Sequence, residues 1–144
     1  MYWLYQGSEI KDIEQFPEGV IGFIYKITRV SDGKYYIGKK SLYSERNKPL
    51  TKKELADYKA PGKKPKKKKV ISESDWKTYH GSHQVLKEEV KKTGGEGFVR
   101  EILFLCTSKK QLTYQEIRHQ ILNNWESDQC WNDQILGKFW KKDA

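Results

Sequence analysis

Two runs of sequence decide the fold: Val20-Ile21-Gly22-Phe23-Ile24-Tyr25-Lys26-Ile27-Thr28, and Tyr35-Tyr36-Ile37-Gly38-Lys39-Lys40 after the link Ser31-Asp32-Gly33-Lys34. The first run is β-branched and aromatic, side chains that pack well on a pleated, half-buried surface, and it reads as a strand. Asp32-Gly33 follows with turn chemistry, a pair that reaches positive φ at low steric cost. The second run returns as another strand, which predicts a β-hairpin. On adjacent antiparallel strands, Tyr25 and Tyr36 can project from one face of the sheet.

Beyond the hairpin, a short helix is expected from Ser41 toward Arg46. Ser72-Glu73-Ser74-Asp75 can cap a helical turn that carries Trp76 and Tyr79. A clearer helix is predicted from about Ser82 to Lys92, with Val85, Leu86 and Val90 toward the core and a stop at Gly94-Gly95. Phe98 to Leu105 reads as a third strand. Thr107 or Ser108 then caps a longer helix to about Trp125, with Ile117, Ile121 and Trp125 along one face. Glu116 lies off that face, so the periodicity makes it solvent-exposed. Residues Cys130 to Trp140 are short, aromatic and irregular. The order β-β-α-α-β-α predicts an α/β (α+β) sandwich, a small three-stranded, mostly antiparallel sheet flanked by helices. Residues 1–19 are expected as an N-terminal extension packing on the domain, and 20–144 as a single domain with a lysine-rich insertion at about 47–70.

Length fits this: 144 residues suit one domain, and 36% hydrophobic residues with five Trp suffice for a small core of large side chains. No apolar run approaches the ~18 residues that span a bilayer, so no membrane partner is expected. The N-terminus lacks the basic and apolar regions of a signal peptide. Cys106 and Cys130 show no metal-ligand spacing and read as reduced thiols of a cytoplasmic protein. The net charge is +9, and residues 47–69 account for +8 of it. Ala60 to Lys69 holds two prolines, a glycine and no aromatic, so a mobile loop is expected. Its Lys63, Lys64, Lys66, Lys67, Lys68 and Lys69 attract a polyanion through counterion release, which gives affinity without sequence readout. Phosphate-cradling glycine loops and nucleophile elbows are absent.

Ile24-Tyr25 with Tyr36-Ile37-Gly38 resembles the signature of the GIY-YIG nucleases. That family's pattern places an arginine ten residues beyond the second tyrosine, on the helix after the second strand; here the position is Arg46, one of only four arginines. It continues with a histidine or tyrosine, a metal-binding glutamate on a long helix, and an asparagine near the end of the module. His80 (or Tyr79) in Trp76-x-x-Tyr79-His80-Gly81-Ser82, Glu116 in Tyr114-Gln115-Glu116, and Asn132 in Cys130-Trp131-Asn132 fall in those places. Glu101 and Glu126 match less well. The motifs look especially like those of the small phage-encoded Seg-type members.

The resemblance implies a divalent-metal-dependent endonuclease that cleaves DNA, with no small-molecule substrate, working in the cytoplasm of a bacterial host if phage-encoded. Phosphodiester hydrolysis needs a positioned water, a cation at the charge-bearing oxygens and help for the leaving alkoxide. The resemblance assigns the general base to Tyr25, with Tyr36 orienting water or phosphate. A phenol titrates near ~10, and a neighbouring cation lowers that. Arg46 offers a planar fork to the phosphorane. Glu116 is the expected ligand of Mg²⁺ (or Mn²⁺), a hard cation held by one or two carboxylates, water and phosphate. His80 assists proton transfer. Lys39, Lys40 and Asn132 join the lysine-rich stretch as DNA contacts, with Asn132 alternatively fixing Glu116 or the nearby backbone. The competing classes are a DNA-binding protein that keeps the fold without cleavage, and an RNA-binding protein, for which RNP-like and GXXG motifs are lacking.

Overall fold

The computed structural model describes residues 1–59 and 61–144. The chain forms two units, residues 1–42 with 75–144, and residues 43–74. In the first unit, β1 (Trp3–Tyr5), β2 (Ser8–Ile10), β3 (Gly22–Arg29) and β4 (Tyr35–Ser41) come first. The second unit interposes β5 (Tyr43–Pro49), α1 (Lys52–Asp57) and β6 (Lys67–Glu73). The first unit resumes with α2 (Gln84–Thr93), β7 (Phe98–Cys106), α3 (Lys109–Leu122), and the two-residue strands β8 (Gln134–Ile135) and β9 (Phe139–Trp140).

The hairpin forms as the sequence predicts. β3 and β4 pair antiparallel, Gly33 takes φ +75° in the turn, and Arg29 grips Asp32 through Nε (3.0 Å) and a second guanidinium nitrogen (2.6 Å). The sheet is wider than expected, with five strands rather than three, in the order β2-β1-β7-β3-β4. β1 runs parallel to β7, and the other pairs are antiparallel. Residues 3–10 thus extend the sheet instead of lying on it as a bare extension.

Alternation along the strands gives the sheet two buried faces. Phe23, Tyr25 and Ile27 join Trp3, Leu42, Trp76, Leu86, Phe98 and Ile102 in the larger cluster. Ile24, Ile37 and Cys106 meet Leu112 of α3 on the other face. The indole of Trp3 donates to the Trp76 carbonyl (2.6 Å), so its polar edge is satisfied inside the core. Each such large side chain contributes roughly 1.5–3 kcal/mol by leaving water.

α2 stops at Gly94, and Ser108 caps α3 by accepting from the Gln111 amide (3.1 Å). The side of α3 that faces the sheet agrees with the expected one only in part, since Ile117 and Trp125 pack in one cluster with Tyr35. Leu112 and Gln120 are its buried residues, while Ile121 is 57% exposed. Val85, expected to face the core from α2, is also exposed.

The expected helix from Ser41 to Arg46 does not form: Ser41 ends β4, and in the second unit Tyr43 to Arg46 belong to strand β5, paired along its length with β6. Lys67, Lys68 and Lys69 of the expected loop, and Ser72 and Glu73 of the expected cap, are strand residues too. Cross-strand pairing supplies hydrogen bonds that lysine's weak strand preference does not announce. Ala60 of that stretch lies outside the described residues. Asp75 does close a turn, its carbonyl accepting from the Thr78 amide (3.2 Å).

Candidate active site

The β3–β4 register places Tyr25 opposite Gly38 and Ile27 opposite Tyr36, so the two tyrosines are diagonal neighbours on one face. A Cβ on Gly38 would stand 2.6 Å from Cζ of Tyr25 and 3.0 Å from Cε1 of Tyr36. Only glycine leaves room for the Tyr25 phenol there. The two rings are 6.2 Å apart, and Tyr79 meets Tyr25 edge-on at 5.9 Å. The Tyr79 phenol neighbours that of Tyr25 and helps keep it protonated, and Tyr36 shares a hydrogen bond with Ser82 (3.1 Å). Tyr25 is 1% exposed; burial, then the neighbouring phenols, hold it protonated well above the usual phenol range. Burial raises Tyr36 as well, with the Ser82 bond opposing. For both Tyr25 and Tyr36, burial is the largest influence on the phenol and its direction is upward.

β4 is the outer strand of the sheet, and its free edge is covered by polar groups. The Asn132 amide accepts from Ile37 N–H (2.9 Å) and donates to Ile37 C=O (2.7 Å), imitating a neighbouring strand. Gln120 of α3 donates to the same carbonyl (3.3 Å). The Glu116 carboxylate faces the Lys39 amide, whose partial positive charge favours its ionised form. Glu116 is therefore half-buried at the sheet edge, on the same side of α3 as Leu112 and Gln120, and not solvent-exposed as its periodicity predicts. Burial raises its pKa, and the Lys39 charge and amide oppose that rise.

An open cavity of about 590 Å³ lies against this edge, lined among others by Tyr36, Lys39, Ser82, His83, Glu116 and Asp133. His83 stands 5.9 Å from the Tyr36 ring, and its Nε2 pairs with Asp133 at 3.0 Å. Sequence reasoning missed Ser82, His83 and Asp133. The signal was their adjacency to Tyr79 and Asn132.

The remaining expected residues divide. Tyr79, not His80, joins the tyrosines. His80 turns to a separate cavity of about 480 Å³ with Lys77 and Arg100, its Nδ1 bonded to the Thr78 carbonyl (2.8 Å). There burial, then the Arg100 charge, lower its pKa. Lys39 and Lys40 fall on opposite faces of the sheet. Lys39 bonds Thr113 of α3 (3.2 Å). Lys40 pairs with Asp75 (2.5 Å), lies over the Tyr79 ring (4.1 Å) and has a side chain 17% exposed, which leaves it little surface for a phosphate. Of the two roles expected for Asn132, the structure favours holding nearby backbone over touching DNA: it is 3% exposed with its amide committed to Ile37. Arg46 lies on β5 opposite Val70, exposed and on a strand where a helix was expected. Lys63, Lys64, Lys66, Lys67 and Lys69 are exposed, whereas Lys68 is half-buried against Glu54 (2.7 Å).

Among the described residues no three His, Cys, Asp or Glu cluster as a closed metal cage. Glu116, one hard carboxylate on an open cavity, fits the way Mg²⁺ is held, through a single carboxylate with water and phosphate completing the shell.

The mixed sheet thus presents paired tyrosines beside a carboxylate at its edge. The family model described as "Putative endonuclease segE, GIY-YIG domain" matches residues 3–135, and the chain belongs to this GIY-YIG endonuclease family. No curated protein and no solved structure matches it. Among the described residues, no helix is long and apolar enough to cross a membrane.

Proposed function

We propose that this nuclease is a divalent-metal-dependent DNA endonuclease, phage-encoded as the resemblance implies. The observation that supports it most is the convergence of Tyr36, Lys39 and Glu116 on one open cavity. Hydrolysis forms a P–O bond from water and breaks the P–O bond to the leaving alkoxide; water loses one proton, and the alkoxide gains one. Mg²⁺ or Mn²⁺ at Glu116 supplies positive charge to the phosphoryl oxygens. Tyr36, which lines the cavity, orients the water through its hydroxyl and accepts the water's proton once ionised. The resemblance gave the base role to Tyr25. Because Tyr25 is buried and held protonated, we assign it to positioning Tyr36 and Tyr79. Lys39 contacts a flanking phosphate from the cavity wall. Arg46 is assigned the phosphorane on the resemblance, and the exposed lysines of residues 63–69 the DNA backbone.

Incubating the purified chain with supercoiled plasmid tests this reading. Nicked or linear product with Mg²⁺ or Mn²⁺ and none with EDTA is expected. Binding without product under every condition would mark a protein that keeps the fold but not the cleavage.

A further inference from the structure

The second unit is built as a two-stranded ribbon with one bare face. Directly paired residues share a face, so Tyr43, Glu45, Asn47 and Pro49 of β5 stand beside Glu73, Ile71, Lys69 and Lys67 of β6. Tyr43, Asn47, Lys67, Lys69 and Ile71 are all exposed, Ile71 at 62%. The opposite face carries Ser44, Lys68 and Val70, which are half-buried, and Glu54 of α1 is bonded to Lys68 (2.7 Å). The helix thus belongs to one side, and the other has no cover within the unit. Residues 43–74 hold eleven Lys or Arg against four Asp or Glu, so a polyanion is the complementary partner.

We propose that this bare face enters the major groove of duplex DNA and reads base edges, with Asn47 and Ile71 at the centre of the reading surface. The inference rests on the DNA reading given above and deepens it. A two-stranded antiparallel ribbon fits the B-DNA major groove, roughly 12 Å wide, whereas the major groove of A-form RNA is too narrow for it. Seven paired residues at about 3.4 Å each span roughly 20–24 Å, enough to follow several base pairs. The chemistry matches the groove floor. The Asn47 amide has no hydrogen-bond partner among the described residues, and an Asn amide donates to adenine N7 while accepting from N6. Ile71 offers an apolar contact to a thymine methyl. Lys67 and Lys69 flank them as donors to guanine or phosphate; the 3.4 Å pair of Lys69 with Glu45 is solvent-exposed and readily exchanged. A loop that only attracted backbone phosphates would need none of this alternation.

The test is selection of bound sequences from a randomised duplex pool, in EDTA, by the full chain and by Asn47→Ala, Ile71→Ala and Lys67→Gln/Lys69→Gln. Wild type should enrich a short motif. Asn47→Ala and Ile71→Ala should each flatten it at one or two positions, lowering preference over mismatched duplex by on the order of tenfold. Their salt dependence should stay that of wild type. The double lysine variant should lower the salt slope by up to ~0.9 per lost phosphate contact. An enriched motif with no plasmid cleavage in Mg²⁺ would sink the endonuclease reading and leave the ribbon standing. Cleavage with no motif, a motif unchanged in both neutral variants, duplex RNA bound equally, or no duplex binding at all would overturn the ribbon.

Discussion

The phenol of Tyr25 occupies the space that a side chain on residue 38 would need, and it does so from the adjacent strand. Ring and glycine are one packing unit. Gly38→Ala should therefore push Tyr25 against Trp3 and Phe23, its other ring neighbours. Overpacking of this kind costs about 1–3 kcal/mol. Urea unfolding should show the loss, and cleavage should fall further than stability alone explains. An unchanged midpoint would mean that the ring has another place to go.

Glu116→Gln keeps an oxygen to face the Lys39 amide but removes the charge. Cleavage should drop at least 10²-fold while DNA binding holds or tightens. Calorimetric Mn²⁺ binding should disappear with it. A variant that still binds Mn²⁺ at wild-type affinity would place the metal elsewhere.

For the third aromatic position, Tyr79→Phe and His80→Gln make a paired test. Tyr79→Phe removes the hydroxyl neighbouring that of Tyr25 and should slow cleavage. His80→Gln alters a cavity apart from the tyrosines and should cleave at close to the wild-type rate. The reverse ranking would return the role to His80.

Both site phenols sit above their ordinary range because burial penalises the phenolate. A phenolate base then grows about tenfold per pH unit as pH rises toward its pKa. Single-turnover cleavage, corrected for free hydroxide, should climb from about pH 7 to 9 without levelling. A plateau below pH 8 would point to another base, with His83 the nearest imidazole on the cavity wall.

Asn132→Ala leaves the buried N–H and C=O of Ile37 without the Asn132 amide, though Gln120 still reaches the carbonyl. The one group left unmet is the Ile37 N–H, and an unmet buried donor costs roughly 1–3 kcal/mol, so a loss of about that size is expected in denaturant unfolding. DNA affinity of the folded fraction should not change. A variant of normal stability and weakened affinity would restore Asn132 as a DNA contact.

The hairpin, α2, β7 and α3 were legible because each rests on local patterning: alternation, caps and glycine stops. β1 and β2 were not, since three-residue strands such as Trp3–Tyr5 owe their form to distant partners at Glu101 and Ile102. The ribbon was misread for a related reason, as Lys67 to Lys69 form a strand only through residues some twenty positions away. Of the apolar series Ile117, Ile121 and Trp125, the first and last pack inward but Ile121 is exposed. Glu116 and Gln120 turn inward because the β4 edge offers them backbone partners, a local rule broken where the site is built. The tyrosine pair was readable from the register, but its deep burial was not, because Gly38 had to clear the space first.

The covered edge of β4 has a consequence for how the molecule behaves in company. A bare outer strand is a template on which a second chain can add a strand, the usual start of edge-to-edge aggregation. Here Tyr35 is occupied by backbone from Gln129 and Trp131, Ile37 by Asn132, and the Glu116 carboxylate faces the Lys39 amide. The carboxylate proposed to hold the metal is thus also one of the guards. Any change that frees it, by deleting the side chain or swinging it away, exposes a backbone donor at the rim and makes the strand available for pairing with another chain.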